Sequence, residues 1–490
     1  MSLSRRTFLT ALGATTGAAA LAGQGLARGK SGPAWQVGYA NAPAEGFEPG
    51  PMDLVSGRLP DGFRGSFYRN GPGWFRYGDD VLGHWFDGDG MVQRIAFEDG
   101  QAVHSGKFVQ TRKHAIEQAA GEFRAAGFGS FGDPTYSIMS SDDVNAANTS
   151  VLMVDDEVLA LWEGGSPFAL DARTLETKGP KTLRDDLKGM PFLAHPKVEP
   201  NGTIWNLGVA GRRVIIYKMA ASGAVIGTEM IDIGRASYIH DWAMTDRHLV
   251  IMAQPWIMTR NIPPFVNSLE WQPDEGLDLI IIEKDNLSNR RTVSVDAHSF
   301  FHTGAAWEDS AGAIHIDVAL YAEPFLGEGG ATNLMRGEFD PLEDNGESRL
   351  SRIVIPASGP PRIEKTDVDG EFPVVHPQFH GLERRLTAMV GGNAPNRPGA
   401  RRVSTMDWKT GQVRHFDYGL DRIPEEHLFV AKPGGRSEAD AWLVGTVLNT
   451  RTQRSEVHIL DAADVSAGPV ATFAARYAWP LGFHGTFAPA

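Results

Sequence analysis

One pattern returns seven times along this chain, and it constrains the fold more than any other feature. An apolar run enters a short polar turn, and a second apolar or alternating run leaves it. The hairpins this predicts span residues 92–109, 168–183, 214–231, 279–295, 350–368, 403–416 and 457–473. Their turns fall at Asp99-Gly100, Arg173-Thr174, Ser222-Gly223, Asp285-Asn286, Ser358-Gly359, Thr410-Gly411 and Ala463-Asp464. Short runs broken by Gly, Pro, Asp and Asn mark β-structure, and no long helical periodicity accompanies them. The turns lie roughly 50–75 residues apart, longer than a minimal propeller repeat of about 40–50. Each interval therefore has room for a four-stranded blade and an insertion. The expected fold is all-β, a seven-bladed β-propeller with loop and helical insertions covering one face. Separate β-sandwiches would carry similar hairpins, but no Pro/Ser linker divides the chain cleanly. Blades bury their faces against their neighbours, so one closed ring can absorb residues 28–490 as a single domain.

Two insertions stand out. Residues 114–132 carry Ala, Glu and Phe at near-helical spacing and end in Gly-Phe-Gly-Ser-Phe-Gly. Pro255 to Trp271 is apolar but contains Pro263-Pro264, which predicts a loop rather than a strand. Exposed, that stretch would be a patch for peripheral contact with a membrane or a greasy substrate; buried, it would be core cover.

Residues 1–27 read as a targeting segment. Arg5-Arg6 precede an Ala-rich apolar stretch, and Gly25-Leu26-Ala27 gives a small-x-small cleavage pattern. The twin arginines predict Tat-type export of a folded, cofactor-loaded protein, placing it in the periplasm, where the Pro255 to Trp271 stretch would allow membrane association. No other segment reaches about 18 consecutive apolar residues. The 46 Lys+Arg against 60 Asp+Glu argue against a nucleic-acid partner, and loss of the leader makes the balance 44 − 60 = −16. There is no cysteine, which excludes disulfides, thiolate metal sites and thiol nucleophiles.

Four of the 15 histidines sit among apolar or aromatic residues at blade intervals: His195, His240, His302 and His484. Any one alone reads as a satisfied core imidazole. Together they suggest a ring of neutral ligands aimed at the axis, with Glu163, Glu371 and Glu426 in the remaining intervals to orient ring N–H groups. Neighbouring blades make Glu371–His302 and Glu426–His484 natural pairs, and leave Glu163 to His195 or His240. Imidazoles without thiolate suit iron, zinc, copper or nickel. Four on an octahedral ion would leave two positions open, as oxygen activation by Fe(II) needs, whereas zinc would be complete with four. Spacing alone does not choose between them.

At these residues the chain resembles the carotenoid cleavage oxygenases, which include apocarotenoid oxygenases and lignostilbene dioxygenases. The resemblance runs from about Gly46 to the C-terminus. It is carried by Gly65-Ser66-Phe67-Tyr68-Arg69-Asn70-Gly71-Pro72, His84-Trp85-Phe86-Asp87-Gly88-Asp89-Gly90-Met91, Asn148-Thr149, Leu161-Trp162-Glu163, Glu371-Phe372-Pro373 and Phe483-His484-Gly485, in order with the four His contexts. It implies a seven-bladed propeller holding one non-haem Fe(II) per chain. His195, His240, His302 and His484 match the iron ligands, and Glu163, Glu371 and Glu426 match the carboxylates behind them. Ala305 and Ala431 depart from the family pattern without touching a ligand.

The implied reaction joins O2 to one C=C bond of a small apolar or aromatic alkene and releases two carbonyl products, with no obligate protein partner. His84-Trp85-Phe86 looks like carotenoid-type relatives, which favours a carotenoid or apocarotenoid. Tyr77 and Lys113 lie near positions where stilbenoid-cleaving relatives engage a phenol, which keeps a stilbenoid or phenylpropanoid as the alternative. A non-catalytic exported propeller that binds a lipid or polyphenol is a further alternative, as is a metal-dependent isomerase or hydrolase. Asp87-Gly88-Asp89 lacks the later ligands of a calcium loop, and Pro377 makes a helical His376/His380 metal pair improbable.

Overall fold

The computed structural model describes residues 32–326, 330–341 and 346–490. The proposed leader, residues 1–27, and its boundary lie outside them. Among the described residues the strands form seven sheets of four or five antiparallel strands, one per blade, and two two-stranded ribbons.

All seven hairpins expected from the sequence form, and each supplies the third and fourth sequential strands of its blade. Arg213–Met219 pairs with Val225–Asp232, Leu277–Glu283 with Asn286–Val295, and Arg402–Asp407 with Gln412–Asp417. Their burial explains their legibility. The inner member of each pair is mostly buried, and in Arg213–Met219 and Leu277–Glu283 it reads as a continuous apolar run. The outer member meets water where no further strand covers it, and Asn286–Val295 is exposed along most of its length. In the first hairpin Asp99 and Gly100 have φ of 48° and 79°, the left-handed pair that a two-residue turn between twisted strands requires.

Two of the innermost strands are very short. Lys197–Val198 and Ala243–Met244 each contain two residues, too few to show a period in sequence. They lie nearest the axis, so the residues just before them are brought to the centre.

Closure uses both ends of the described chain. The last strand, Gly485–Pro489, pairs with Gly65–Trp74 in blade one, Arg69 opposite Gly485. Phe47–Pro51 adds to the outer edge of blade one, and Asp53–Gly57 adds to Pro469–Ala474 in blade seven. This staple joins the first and last blades and pairs their free edges. The core is distributed between blades. One cluster joins Trp205, Leu207 and Ile216 of blade three to Trp242, Leu249 and Ile280 of blade four. Truncating a buried tryptophan such as Trp205 or Trp242 would cost about 3–5 kcal/mol.

The insertions gather on the face that carries the site. Within the first, Arg112–Ala120 is a helix, capped by Thr111 Oγ1 on the His114 N–H and ended by Gly121 at φ 68°. The apolar stretch from Pro255 to Trp271 differs from expectation. Trp256–Met258 pairs with Leu269–Trp271 as a ribbon. Pro263-Pro264 occupies the tip, where no ladder bond is needed, so the prolines excluded a strand only at their own positions. The ribbon is both cover and surface: Trp256, Val266 and Leu269 are buried, while Ile262 and Phe265 are 41 % and 39 % exposed. Among the described residues no helix is long and apolar enough to cross a membrane.

Candidate metal centre and its cavity

The four histidines reach the axis from four blade positions. His195 and His240 precede innermost strands, His302 lies within Ser299–Glu308, and His484 immediately precedes the closing strand. Their Nε2 atoms converge: His195 to His240 is 3.0 Å, His240 to His302 is 3.2 Å, and His302 to His484 is 3.1 Å. One ligand atom from each lies within 4.8 Å of all the others.

The carboxylates define what those nitrogens are. His302 Nδ1 lies 2.6 Å from Glu371 Oε2, and His484 Nδ1 lies 2.9 Å from Glu426 Oε1, as expected. Glu163 selects His240, whose Nδ1 its Oε1 accepts. Glu163 follows Glu157–Leu161, the second strand of blade two, and reaches across to the residue before blade four. Among the described residues His195 has no carboxylate partner. A ring whose Nδ1–H is donated to a carboxylate presents a lone pair at Nε2. Three such lone pairs facing one another cannot satisfy each other by hydrogen bonding; a cation satisfies them together.

The spacing bears on geometry. On an ion about 2.1 Å from each nitrogen, right-angled neighbours stand about 3.0 Å apart and tetrahedral neighbours about 3.4 Å. The observed separations of 3.0–3.2 Å fall within that span, so one ion could meet these neighbouring nitrogens together. Four imidazole nitrogens without a thiolate would suit a transition-metal ion.

Burial disfavours charge on two of the four imidazoles. It pushes His195 well below its ordinary range, with repulsion from the other imidazoles adding to the effect, and it pushes His484 down to about 4. Burial opposes charge on His302 too, but Glu371 beside it outweighs that and holds it above its usual value.

The sequence reading missed the groups behind the glutamates. Tyr238 Oη donates to Glu163 at 3.1 Å, and Tyr321 Oη donates to Glu371 Oε1 at 2.8 Å. Burial and the adjacent carboxylate push both phenols well above their ordinary range, so they remain donors. Arg69 pairs with both Glu425 and Glu426. Tyr238 stands two residues from His240, a signal that was available; Tyr321 had none. Phe372 adopts φ 51°, a left-handed conformation costing a β-region aromatic about 1–3 kcal/mol. In that pose its ring stacks on His302 at 4.6 Å between centroids, and its N–H donates to Glu371.

A cavity of about 560 Å³ opens onto His240, His302 and His484. Trp85, Phe86, Phe128, Phe301, Phe372 and Phe483 line it, and Met258, Phe265 and Leu269 of the ribbon extend its wall. The site thus presents metal-binding nitrogens at the side of an aromatic chamber.

Lys113 also lines the cavity, but its Nζ donates to Asp89 at 2.8 Å and Glu117 at 2.9 Å. Those two carboxylates outweigh its burial and hold it firmly protonated. Tyr77 packs against Trp74 and Phe123, with its hydroxyl buried. Asp87 accepts from Phe128, Gly129 and Ser130, and Asp89 from Lys113 and His114, so these carboxylates anchor the turn and its insertion. His84 Nδ1 accepts the Phe86 N–H in the same turn. His376 and His380 bond separate backbone groups.

The family model described as Retinal pigment epithelial membrane protein matches residues 39–489. The chain is 31 % identical over 486 residues to the apocarotenoid-15,15'-oxygenase of Synechocystis sp., covering 93 % of this chain and 96 % of that one. It is 26 % identical over 445 residues to resveratrol cleavage oxygenase 1 of Aspergillus fumigatus, covering 84 % and 86 %. The crystal structure of cobalt-substituted Synechocystis apocarotenoid oxygenase superposes with a TM-score of 0.84 at 27 % identity, covering 93 % of this chain and 98 % of that one.

Proposed function

The chain belongs to the carotenoid cleavage oxygenase family, and from that premise we propose that it is an Fe(II)-dependent oxygenase that cleaves one C=C bond of a carotenoid or apocarotenoid. One alkene and one O2 give two carbonyl products, each carrying one oxygen atom. The observation that carries the reading is the convergence of four imidazole Nε2 atoms at the wall of an aromatic cavity.

His195, His240, His302 and His484 would hold one iron per chain, and their neutrality leaves its full +2 charge. When bound, the iron supplies the electronic path by which O2 meets a closed-shell alkene. The chain does the rest by placement. Glu163, Glu371 and Glu426 fix ring orientation, and Tyr238 and Tyr321 fix two of those glutamates from the cavity side. The aromatic walls exclude water and hold an extended apolar substrate beside the metal position, so the bond cleaved is the one the cavity places there.

Lys113 supports the polyene reading, because two carboxylates already take its charge. Its place on the cavity wall is also what favours a second reading, a stilbenoid or phenylpropanoid whose phenol meets that ammonium. Exposed Ile262 and Phe265 support peripheral membrane contact at the ribbon tip, through which an apolar substrate would enter. Residues 1–27 support export to the periplasm.

Turnover of a panel tests the substrate class. An apocarotenal, resveratrol and a vinyl phenol are each supplied to the Fe(II)-loaded chain. The reading expects kcat/KM at least about tenfold higher for the apocarotenal, a difference of about 1.4 kcal/mol. A preference for either phenol would move the assignment to the second reading.

A further inference from the structure

The glutamate behind His484 is itself held by an arginine from the other end of the chain. Arg69 lies on Gly65–Trp74 in blade one and is 2 % exposed. Its Nη1 lies 3.4 Å from Glu426 Oε2 and 3.3 Å from the Glu426 carbonyl, and its Nη2 lies 3.1 Å from Glu425 Oε1. Glu425 in turn accepts from the Gly482 N–H at 2.6 Å and from Thr446 Oγ1. Glu426 accepts from the Gly485 N–H at 2.9 Å through the same oxygen that meets Arg69, and its other oxygen faces His484 Nδ1. Backbone N–H groups on both sides of His484 are thus tied to two carboxylates, and one guanidinium ties the carboxylates together.

We propose that Arg69 is a positioning residue of the metal centre, whose fork fixes Glu426 and thereby the direction of the His484 ring. The inference rests on the metal-centre reading above. Two neighbouring buried carboxylates repel unless a cation lies between them, and a planar fork reaches both where an ammonium is a single point. The other two paired imidazoles are supported differently: Glu163 and Glu371 each take a tyrosine hydroxyl from the cavity side. His484 comes from the last segment of the ring, Glu425 and Glu426 from blade seven, and Arg69 from blade one. Ring closure and completion of the ligand set therefore use the same residues.

The test is a Co(II) titration of the metal-free full-length chain, followed by visible absorption, which reports ligand geometry. The wild type should bind one Co(II). Arg69→Met should bind about 10–100-fold more weakly with an altered spectrum, in the range for loss of an outer partner of a metal ligand. Arg69→Lys should fall between the two. Arg352→Met removes a different buried ion pair, with Asp317, and should lower Tm while leaving Co(II) affinity and spectrum as in the wild type. If Arg69→Met does not fold, Arg69→Lys decides. Wild-type affinity and spectrum in the Arg69 variants would overturn the role of Arg69 and leave the metal centre standing. A wild-type chain that binds no Co(II) would overturn the metal-centre reading itself.

Discussion

At the scale of single residues, the centre is a set of imidazoles whose tautomers are chosen by their neighbours. Glu371 shows the dependence most clearly, because one carboxylate meets His302 Nδ1, Tyr321 Oη and the Phe372 N–H. Glu371→Gln keeps the shape and removes the charge that directs His302. It should weaken metal binding about 10–100-fold, measured by Fe(II) titration, with little change in Tm. Tyr321→Phe leaves that carboxylate charged but removes one hydrogen bond to it, an interaction worth about 1.5–3 kcal/mol. Its metal content should stay at one per chain while kcat/KM for the best apocarotenal falls about tenfold. The seven site residues were legible in the sequence because each sits among residues that are buried in any fold, as in Tyr238-Ile239-His240 and Phe483-His484. Their partners were not. Glu163 meets His240 across 77 residues, and Tyr321 meets Glu371 across 50; only the ring geometry makes such pairs neighbours.

Elements were legible in proportion to how much local chemistry they carry. The outer hairpins announce themselves through turn residues such as Asp99-Gly100 and through strands long enough to show a pattern. Lys197–Val198 and Ala243–Met244 are too short for that, although they carry two of the four ligands to the axis. The ribbon around Pro263-Pro264 was misread because a proline forbids a ladder bond at one position and says nothing of residues five or more away. Its two faces also separate two roles. Ile262→Asp, at an exposed residue that does not line the cavity, should weaken co-sedimentation with lipid vesicles, since apolar burial drives that contact. Turnover of a detergent-dispersed substrate should persist within about threefold, because Trp256, Val266 and Leu269 still form the inner face. Loss of turnover in detergent would show instead that the tip shapes the cavity.

For the whole molecule, one ring carries both the stability and the site, so acid should act on both. His104, His380 and His427 are buried imidazoles outside the four-histidine cluster, and burial pushes each down to about 3. Their folded values lie below the unfolded value near 6.5, so the unfolded chain binds more protons once the pH falls below about 6.5. Each such histidine then removes up to about 1.4 kcal/mol of stability per pH unit. Glu456, held down to about 2 by His458, Asn449 and Arg422 against its burial, adds a further loss only below about pH 4.5. The urea midpoint of the metal-free chain should therefore drop between pH 7.5 and 5.5; a flat midpoint would mean that these imidazoles take up protons without cost. The seven-fold repeat and the single ring were legible in the sequence, while the staple of Phe47–Pro51 and Asp53–Gly57 was not, because its two strands add to blades at opposite ends of the chain. We propose that this ring holds one Fe(II) that directs both atoms of O2 into one alkene. This is tested most directly by loading the chain with Fe(II) without oxygen, adding an apocarotenal under 18O2, and analysing both fragments by mass spectrometry. The account predicts one iron per chain and one 18O in each of two carbonyl products, and a fully iron-loaded, folded chain that leaves conjugated and styrenic alkenes intact would contradict it.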